Sequence, residues 1–328
     1  MRDRKNIFHV LLAIVLLLVA ALSAAAIFGC QQTEPETIPA QVENSTLAPA
    51  PDSDEASKPA ESVSADAAKE IIAGKDLLSL TSLYPFAMGS ATSELSEDKE
   101  KAIKVAITEV EKQGVCAFLV MDLDDGTGVA YNVDAKVYTA SSIKIALVFY
   151  ALQKDPNVAV DFKEVIEDTL IYSDNDAYDY LAQTFCTPEY IEWLASYGII
   201  HDIDSENGPY PYASPKSMAA IWADIATYLD QDTEEAKWLS SILAETETSF
   251  IREAAIQVGA TQVLDKAGWI AESIEDIYMW YSQHLDATND CGIVYTKEHR
   301  YVVAIMTGVP YSEVSEAAVG NLTKVLLS

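Results

Sequence analysis

Tyr138-Thr139-Ala140-Ser141-Ser142-Ile143-Lys144 opens an apolar stretch that continues through Phe149 and Leu152. The pattern predicts a helix from residue 141 to about 153. A serine and a lysine three positions apart lie on one helical face, so the amine can reach the hydroxyl. Serine alone is a weak nucleophile and needs a base beside it. A lysine becomes that base when burial or a neighbouring cation strips its proton. The helix start also offers backbone N–H donors where an oxyanion would form. The motif alone carries little information, since roughly one S-x-x-K is expected by chance in a chain this long. Ser96-Glu97-Asp98-Lys99 is a second copy, read here as a helix cap on an exposed face.

Two further stretches give the first one company. Ser173-Asp174-Asn175 enters another predicted helix, and Lys266-Ala267-Gly268 closes a strand that starts at Thr261. Singly, the former is an ordinary N-cap and the latter an ordinary K-x-G, like Lys112-Gln113-Gly114. Around them, 115–123 reads as a buried strand, Asp125-Gly126 as a hairpin signal and 129–133 as the returning strand. Helices are predicted behind the Ser96 cap and over 161–171, 174–185, 188–197 and 215–229. Residues 292–295 and 300–307 form a late strand pair, and 313–327 an amphipathic helix. Strands at both ends with helices between predict one α/β domain over 96–328. Its antiparallel sheet is built from N- and C-terminal strands, is flanked by helices and carries a helical subdomain.

In this order the three motifs form the signature set of penicillin-recognising serine enzymes. The chain resembles the class A β-lactamase and penicillin-binding protein superfamily from about residue 97 to the end. Ser214-Pro215-x-x-Met218-Ala219 and Asp290-Cys291-Gly292-Ile293-Val294-Tyr295 agree with it as well. The resemblance implies that Ser141 is the nucleophile and that Lys144 takes its proton. It implies that Ser173 relays a proton to the leaving group, while Asn175 orients the substrate amide and Lys144. Lys266 would face a substrate carboxylate, and the amides of Ser141 and Trp269 would form the oxyanion hole. Gly268 would let the substrate backbone pass close to the strand. No metal or cofactor is implied, and the partner would be a small-molecule or peptide substrate, a β-lactam or a peptidoglycan-like compound.

Three departures qualify the likeness. Ala267 replaces the hydroxyl residue of K-T-G, removing a donor worth on the order of 1.5–3 kcal/mol to a bound carboxylate. The segment from Lys144 to Ser173 is short, which implies a more open cleft. The stretch 198–214 lacks the E-x-x-x-N pattern that supplies the deacylating acid in class A enzymes. Glu206 and Asp204 lie there without matching it, and Tyr210 and Tyr212 are candidates for lining a groove. A binding or sensing module that has lost turnover, and a structural envelope lipoprotein, therefore stand as alternatives.

The chain has 51 acidic and 21 basic residues among 328, a formal net charge of −30, and half its residues are hydrophobic. That composition excludes a wholly disordered chain. It also argues against nucleic acid, whose phosphates are bound by Lys and Arg. Arg2, Arg4 and Lys5 precede an apolar run over 10–28, a secretory signal pattern that is also long enough to be an uncleaved membrane anchor. Residues 27–30 resemble a bacterial lipobox with Cys30 as the lipidated residue, although Phe28 stands where a small residue is usual. Either reading gives 1–30 as signal or anchor and an extracytoplasmic, membrane-anchored body. Residues 31–95 read as an acidic Pro/Ala/Ser/Glu-rich tether, with an apolar cluster over 70–95 expected as a short docking helix. Cys186 and Cys291 are candidates for a disulfide. The four histidines form no metal-binding pair, and no G-x-S-x-G or phosphate-binding loop occurs.

Overall fold

The computed structural model describes residues 84–86 (backbone only), 95–202, 208–270 and 285–328. Its centre is a six-stranded sheet ordered β1-β3-β2-β8-β7-β6. The strands are β1 (Tyr84–Phe86), β2 (Val115–Asp122), β3 (Gly128–Tyr131), β6 (Gln262–Ile270), β7 (Ala287–Tyr295) and β8 (Arg300–Gly308). Every pairing is antiparallel, and β2 meets β8 in the middle, joining the two ends of the domain. β2 is buried along seven of its eight residues because helices cover both faces. That is why it reads as a continuous apolar run rather than an alternating one.

On one face α1 (Glu97–Glu111) lies beside the C-terminal α10 (Glu313–Leu327). Ile103, Ile107 and Val110 of α1 share a core with Phe118, Val120, Ile305 and Leu322. The other face, built from Leu119, Met121, Val302 and Ala304, packs on the helical subdomain. That subdomain contains α2 (Lys144–Lys154), α3 (Val158–Asp161), α4 (Lys163–Ile171), α5 (Asn175–Phe185), α6 (Pro188–Ser196), α7 (Pro215–Leu229) and α8 (Glu234–Ala244). Ile221 and Trp222 of α7 and Phe149 of α2 are wholly buried within it. A short α9 (Arg252–Gln257) leads into β6. A two-residue ladder, β4 (Val137–Tyr138) with β5 (Tyr212–Ala213), stands apart from the main sheet.

The sheet built from both ends and the helical subdomain match the expected class. The helix caps also follow the sequence: Ser96 accepts from the Lys99 amide at 3.3 Å, so the second S-x-x-K is a cap. Several boundaries differ. The helix expected over 161–171 is broken at Phe162. The strand ending in Lys266-Ala267-Gly268 continues to Ile270, which puts Lys266 mid-strand. Tyr84–Phe86 lies inside the expected tether yet pairs with β3, so the sheet starts before residue 96. The rest of the 70–95 cluster that was expected as a docking helix lies outside the described residues, as does the segment 1–30. Among the described residues no helix is long and apolar enough to cross a membrane. Cys186 and Cys291 are both free, so the candidate disulfide is not made; Cys291 is buried in the middle of β7.

Candidate active site

Ser141 does not start an α-helix. It stands on a 3-10 turn, Ala140–Ile143, wedged between β4 and α2. Ala140 has φ of 45°, a left-handed conformation that costs a non-glycine residue free energy and persists only when its surroundings enforce it. The enforcement is visible. Thr139 donates its N–H (3.2 Å) and its hydroxyl (2.7 Å) to the Pro211 carbonyl. The Ser142 hydroxyl donates to the Thr139 carbonyl at 2.7 Å. Asn289 on β7 donates its amide to the carbonyls of Tyr138 (2.8 Å) and Thr139 (3.2 Å), and its Oδ1 accepts from the Thr307 amide at 2.8 Å.

β6 closes the remaining side. A Cβ on Gly268 would lie 2.3 Å from the Ser142 nitrogen, 2.5 Å from the Thr139 oxygen and 2.8 Å from the Ser141 nitrogen. These are backbone atoms that cannot swing aside, so only glycine lets the strand approach the turn this closely. The half-buried Ser141 is thereby fixed against the strand that carries Lys266.

Lys144 and Lys266 are 0% and 1% exposed. Buried ammonium groups need acceptors, and both find them at Ser173. The Lys144 Nζ donates to the carbonyls of Ser173 (2.6 Å) and Asp174 (3.0 Å) and to Asn175 Oδ1 (2.8 Å). The Lys266 Nζ donates to the Ser173 hydroxyl (3.0 Å) and to the Ala267 carbonyl (2.9 Å). Ser173 has φ of 60°, the special backbone conformation that lets it offer its carbonyl to one lysine and its hydroxyl to the other. Asp174 then caps α5 by accepting from the Ala177 amide at 2.7 Å.

Burial, and next the nearby Lys266 cation, push the Lys144 pKa down to about 7. Burial pushes Lys266 down to about 8 against the pull of Asp290 and Asp265. A Lys144 amine that gives up its proton has two N–H donors and one lone pair. It can then serve only two of its three acceptors, which frees the lone pair to act as a base. The arrangement can thus supply a base, a hydroxyl relay and a retained cation within one cluster.

Of the residues singled out in the sequence, the structure joins Lys144, Ser173, Asn175 and Lys266 by hydrogen bonds and sets Gly268 against the backbone of Ser141. The Trp269 ring turns to the opposite face of β6, where it lies 6.0 Å from Phe250 and 6.3 Å from Tyr311. Tyr210 reaches the cluster, its hydroxyl 3.2 Å from Asn175 Oδ1, while Tyr212 packs on Tyr138 at 5.6 Å. Asp204, Glu206 and Cys30 lie outside the described residues. Four contributors were missed: Asn289 behind the turn, Tyr178 with its ring 5.4 Å from the Lys144 amine, and the buried acids Asp265 and Asp290 near Lys266. Of those acids, Asp265 meets Arg252 at 2.6 Å, and Asp290 accepts from the amides of Phe250 (2.7 Å) and Ile251 (3.2 Å). The signal was there in Thr288-Asn289-Asp290, three polar residues opening a strand that is otherwise apolar.

Among the described residues one group could ligate a metal: Asp122, Asp124 and His299. It sits near the end of the β2–β8 pair farthest from Ser141, and its atoms already have protein partners. Asp122 accepts from the Asp124 amide at 2.8 Å and meets His299 Nδ1 at 2.7 Å, and Asp124 accepts from the Arg300 amide at 2.8 Å.

The layered sheet and the serine–lysine–serine–lysine cluster define the superfamily of β-lactamase-like serine hydrolases. The chain belongs to the beta-lactamase enzyme family, whose model matches residues 98–155 and 152–328. It is similar in structure to a beta-lactamase from Chitinophaga pinensis, with a TM-score of 0.57 and 16% identity over 70% of this chain and 98% of that one. It is similar to PBP-A, with a TM-score of 0.55 and 18% identity over 69% and 94% of the two chains. It is also similar to the TLA-3 extended-spectrum beta-lactamase, with a TM-score of 0.58 and 15% identity over 70% and 98%. A search of curated proteins finds no match.

Proposed function

We propose that the protein is an exported, membrane-tethered serine hydrolase that forms an acyl-enzyme on Ser141 with a β-lactam, a cell-wall peptide or a related amide. One observation carries this reading: two buried lysines converge on Ser173, one through its carbonyl and one through its hydroxyl. Such a pair of desolvated cations is costly to fold around and has no structural gain that apolar side chains would not give. A penicillin-G acyl-enzyme is known for a PBP-A mutant of the same fold, which supports the choice of probe.

In the proposed reaction the Ser141 Oγ attacks the carbonyl carbon while Lys144, in its neutral form, takes the hydroxyl proton. The negative oxygen that forms faces the Ser141 and Trp269 amides. The C–N bond then breaks, and the Ser173 hydroxyl passes a proton to the departing nitrogen. Its own proton is replaced from Lys144, and Lys266 keeps the relay hydroxyl oriented. Water later releases the acyl group. The tether rests on the N-terminal sequence, with Cys30 as lipidation site or 10–28 as an uncleaved helix.

The test is intact-mass spectrometry over time after adding penicillin G. The expected result is a one-to-one adduct on the wild type and none on Ser141→Ala. An adduct that persists for hours favours a binding module over a turnover enzyme. A folded wild type that gains no adduct from penicillin or a fluorophosphonate refutes the reading.

A further inference from the structure

We infer that Tyr210 is a positioning residue of the proposed reaction: its hydroxyl holds Asn175 Oδ1, so that Lys144 can release that acceptor when it gives up its proton. The inference rests on the serine hydrolase reading above. Asn175 Oδ1 is shared, accepting from the Lys144 amine at 2.8 Å and from the Tyr210 hydroxyl at 3.2 Å. The second distance exceeds the ~2.7–2.8 Å usual for an O–H···O bond and leaves it room to shorten. A charged Lys144 has one N–H for each of its three acceptors, the carbonyls of Ser173 and Asp174 and this side-chain oxygen. A neutral Lys144 has only two. An acceptor left without its donor penalises the neutral form. Tyr210 relieves that penalty: its hydroxyl keeps the amide oxygen satisfied while the lysine keeps the two backbone carbonyls.

The hydroxyl is held in place from both sides of the cleft. Pro209 and Pro211 fix φ on either side of Tyr210. The Pro209 carbonyl accepts from the Tyr178 hydroxyl of α5 at 3.1 Å. The Pro211 carbonyl accepts from the amide and hydroxyl of Thr139, just before the serine turn. The Tyr210 ring lies 5.2 Å from that of Tyr178 and 6.5 Å from that of Tyr138. Tyr210 thus meets the lysine cluster from a segment tied both to α5 and to the serine turn. Burial, with Asp179 adding to it, pushes the Tyr210 hydroxyl far above the ordinary tyrosine range, so it stays a donor while Lys144 titrates. The charged groups around Lys144 are Lys266 on β6 and Asp174 and Asp179 at the start of α5, and the Tyr178 ring faces it as well. Tyr210→Phe leaves each of these in place.

The test titrates Lys144 directly by NMR, in full-length protein whose lysines carry carbon-13 at Cε, with Lys144→Arg assigning the resonance. Tyr210→Phe should raise the Lys144 midpoint by at least ~0.5 pH unit, about threefold in the protonation equilibrium. The lower limb of the pH profile for fluorophosphonate labelling of Ser141 should move up with it, whereas a merely structural role would lower the rate at every pH alike. In an Asn175→Ala background the same substitution should no longer move the midpoint, because the route runs through Asn175. A midpoint that stays or falls in Tyr210→Phe, or a shift that survives Asn175→Ala, overturns the inference. A folded wild type that no fluorophosphonate labels overturns the hydrolase reading instead, and the lysine titration still decides whether Tyr210 acts on Lys144 through Asn175.

Discussion

Gly268→Ala is the substitution in which the geometry makes its most exacting demand. The added Cβ would stand 2.3 Å from the Ser142 nitrogen and 2.5 Å from the Thr139 oxygen. Ordinary contact needs nearly 3.5 Å, so strand and turn must part by about 1 Å. Overpacking against backbone costs about 1–3 kcal/mol, or roughly 2–12 °C in Tm for a domain of this size. The functional loss should be larger than the stability loss. A misplacement of about 1 Å between reacting groups costs on the order of 100-fold in rate. Gly320→Ala in α10 is the control. Its nearest neighbours would be at 3.8 and 3.9 Å, so it should leave labelling unchanged and gain about 0.5–1 kcal/mol from helix propensity. The assay pairs thermal unfolding with the second-order rate of fluorophosphonate labelling. Gly268→Ala with unchanged Tm and wild-type labelling would refute the close approach of β6 to the serine turn.

Other consequences are as direct. If neutral Lys144 is the base and Lys266 must stay charged, the acylation rate should rise with pH through about 7 and fall through about 8, a narrow bell that Lys266→Ala would strip of its upper limb. Burial raises the pKa of Asp290 well above the usual carboxylate range, with Asp265 adding to it. A raised acid stabilises the fold below its unfolded value, and that contribution is lost as pH climbs through the folded one. Denaturant titrations should show this loss from about pH 4 upward, and Asp290→Asn should flatten it. Asn289→Ala removes the side chain that ties the Tyr138 and Thr139 carbonyls to the Thr307 amide in a dry interior. Equilibrium unfolding should register a loss of about 1–3 kcal/mol, with slower labelling of Ser141. With Cys116, Cys186 and Cys291 all free, a reductant should leave the Tm where it is.

Much of this site could be read in the sequence because its chemistry is local. Ser141 and Lys144 are one helical turn apart, and Ser173 and Asn175 flank one cap, so spacing alone joins each pair. Joining the pairs to Lys266 needed the order of three motifs, since the contact spans 93 residues. What escaped depends on tertiary context. The serine turn is 3-10 rather than α because Ala140 is bent by partners on β7 and before β5. Asn289 works through its side chain on backbone more than 150 positions away, which no periodicity encodes. Tyr84–Phe86 is three residues long with a proline inside, too short for an alternation to register and tolerable only on an edge strand. α8 was legible and unread: Thr233 caps it, two glutamates follow, and Leu239, Ile242 and Leu243 face inward.

In the proposed reaction one serine, activated by its lysine neighbours, is the reactive group of this molecule. Peptide mapping after fluorophosphonate treatment of the full-length protein tests it directly. A single adduct is expected on the tryptic peptide 137–144, at Ser141, and should disappear in both Ser141→Ala and Lys144→Ala. An adduct at another residue, or equal labelling of Lys144→Ala, would contradict it.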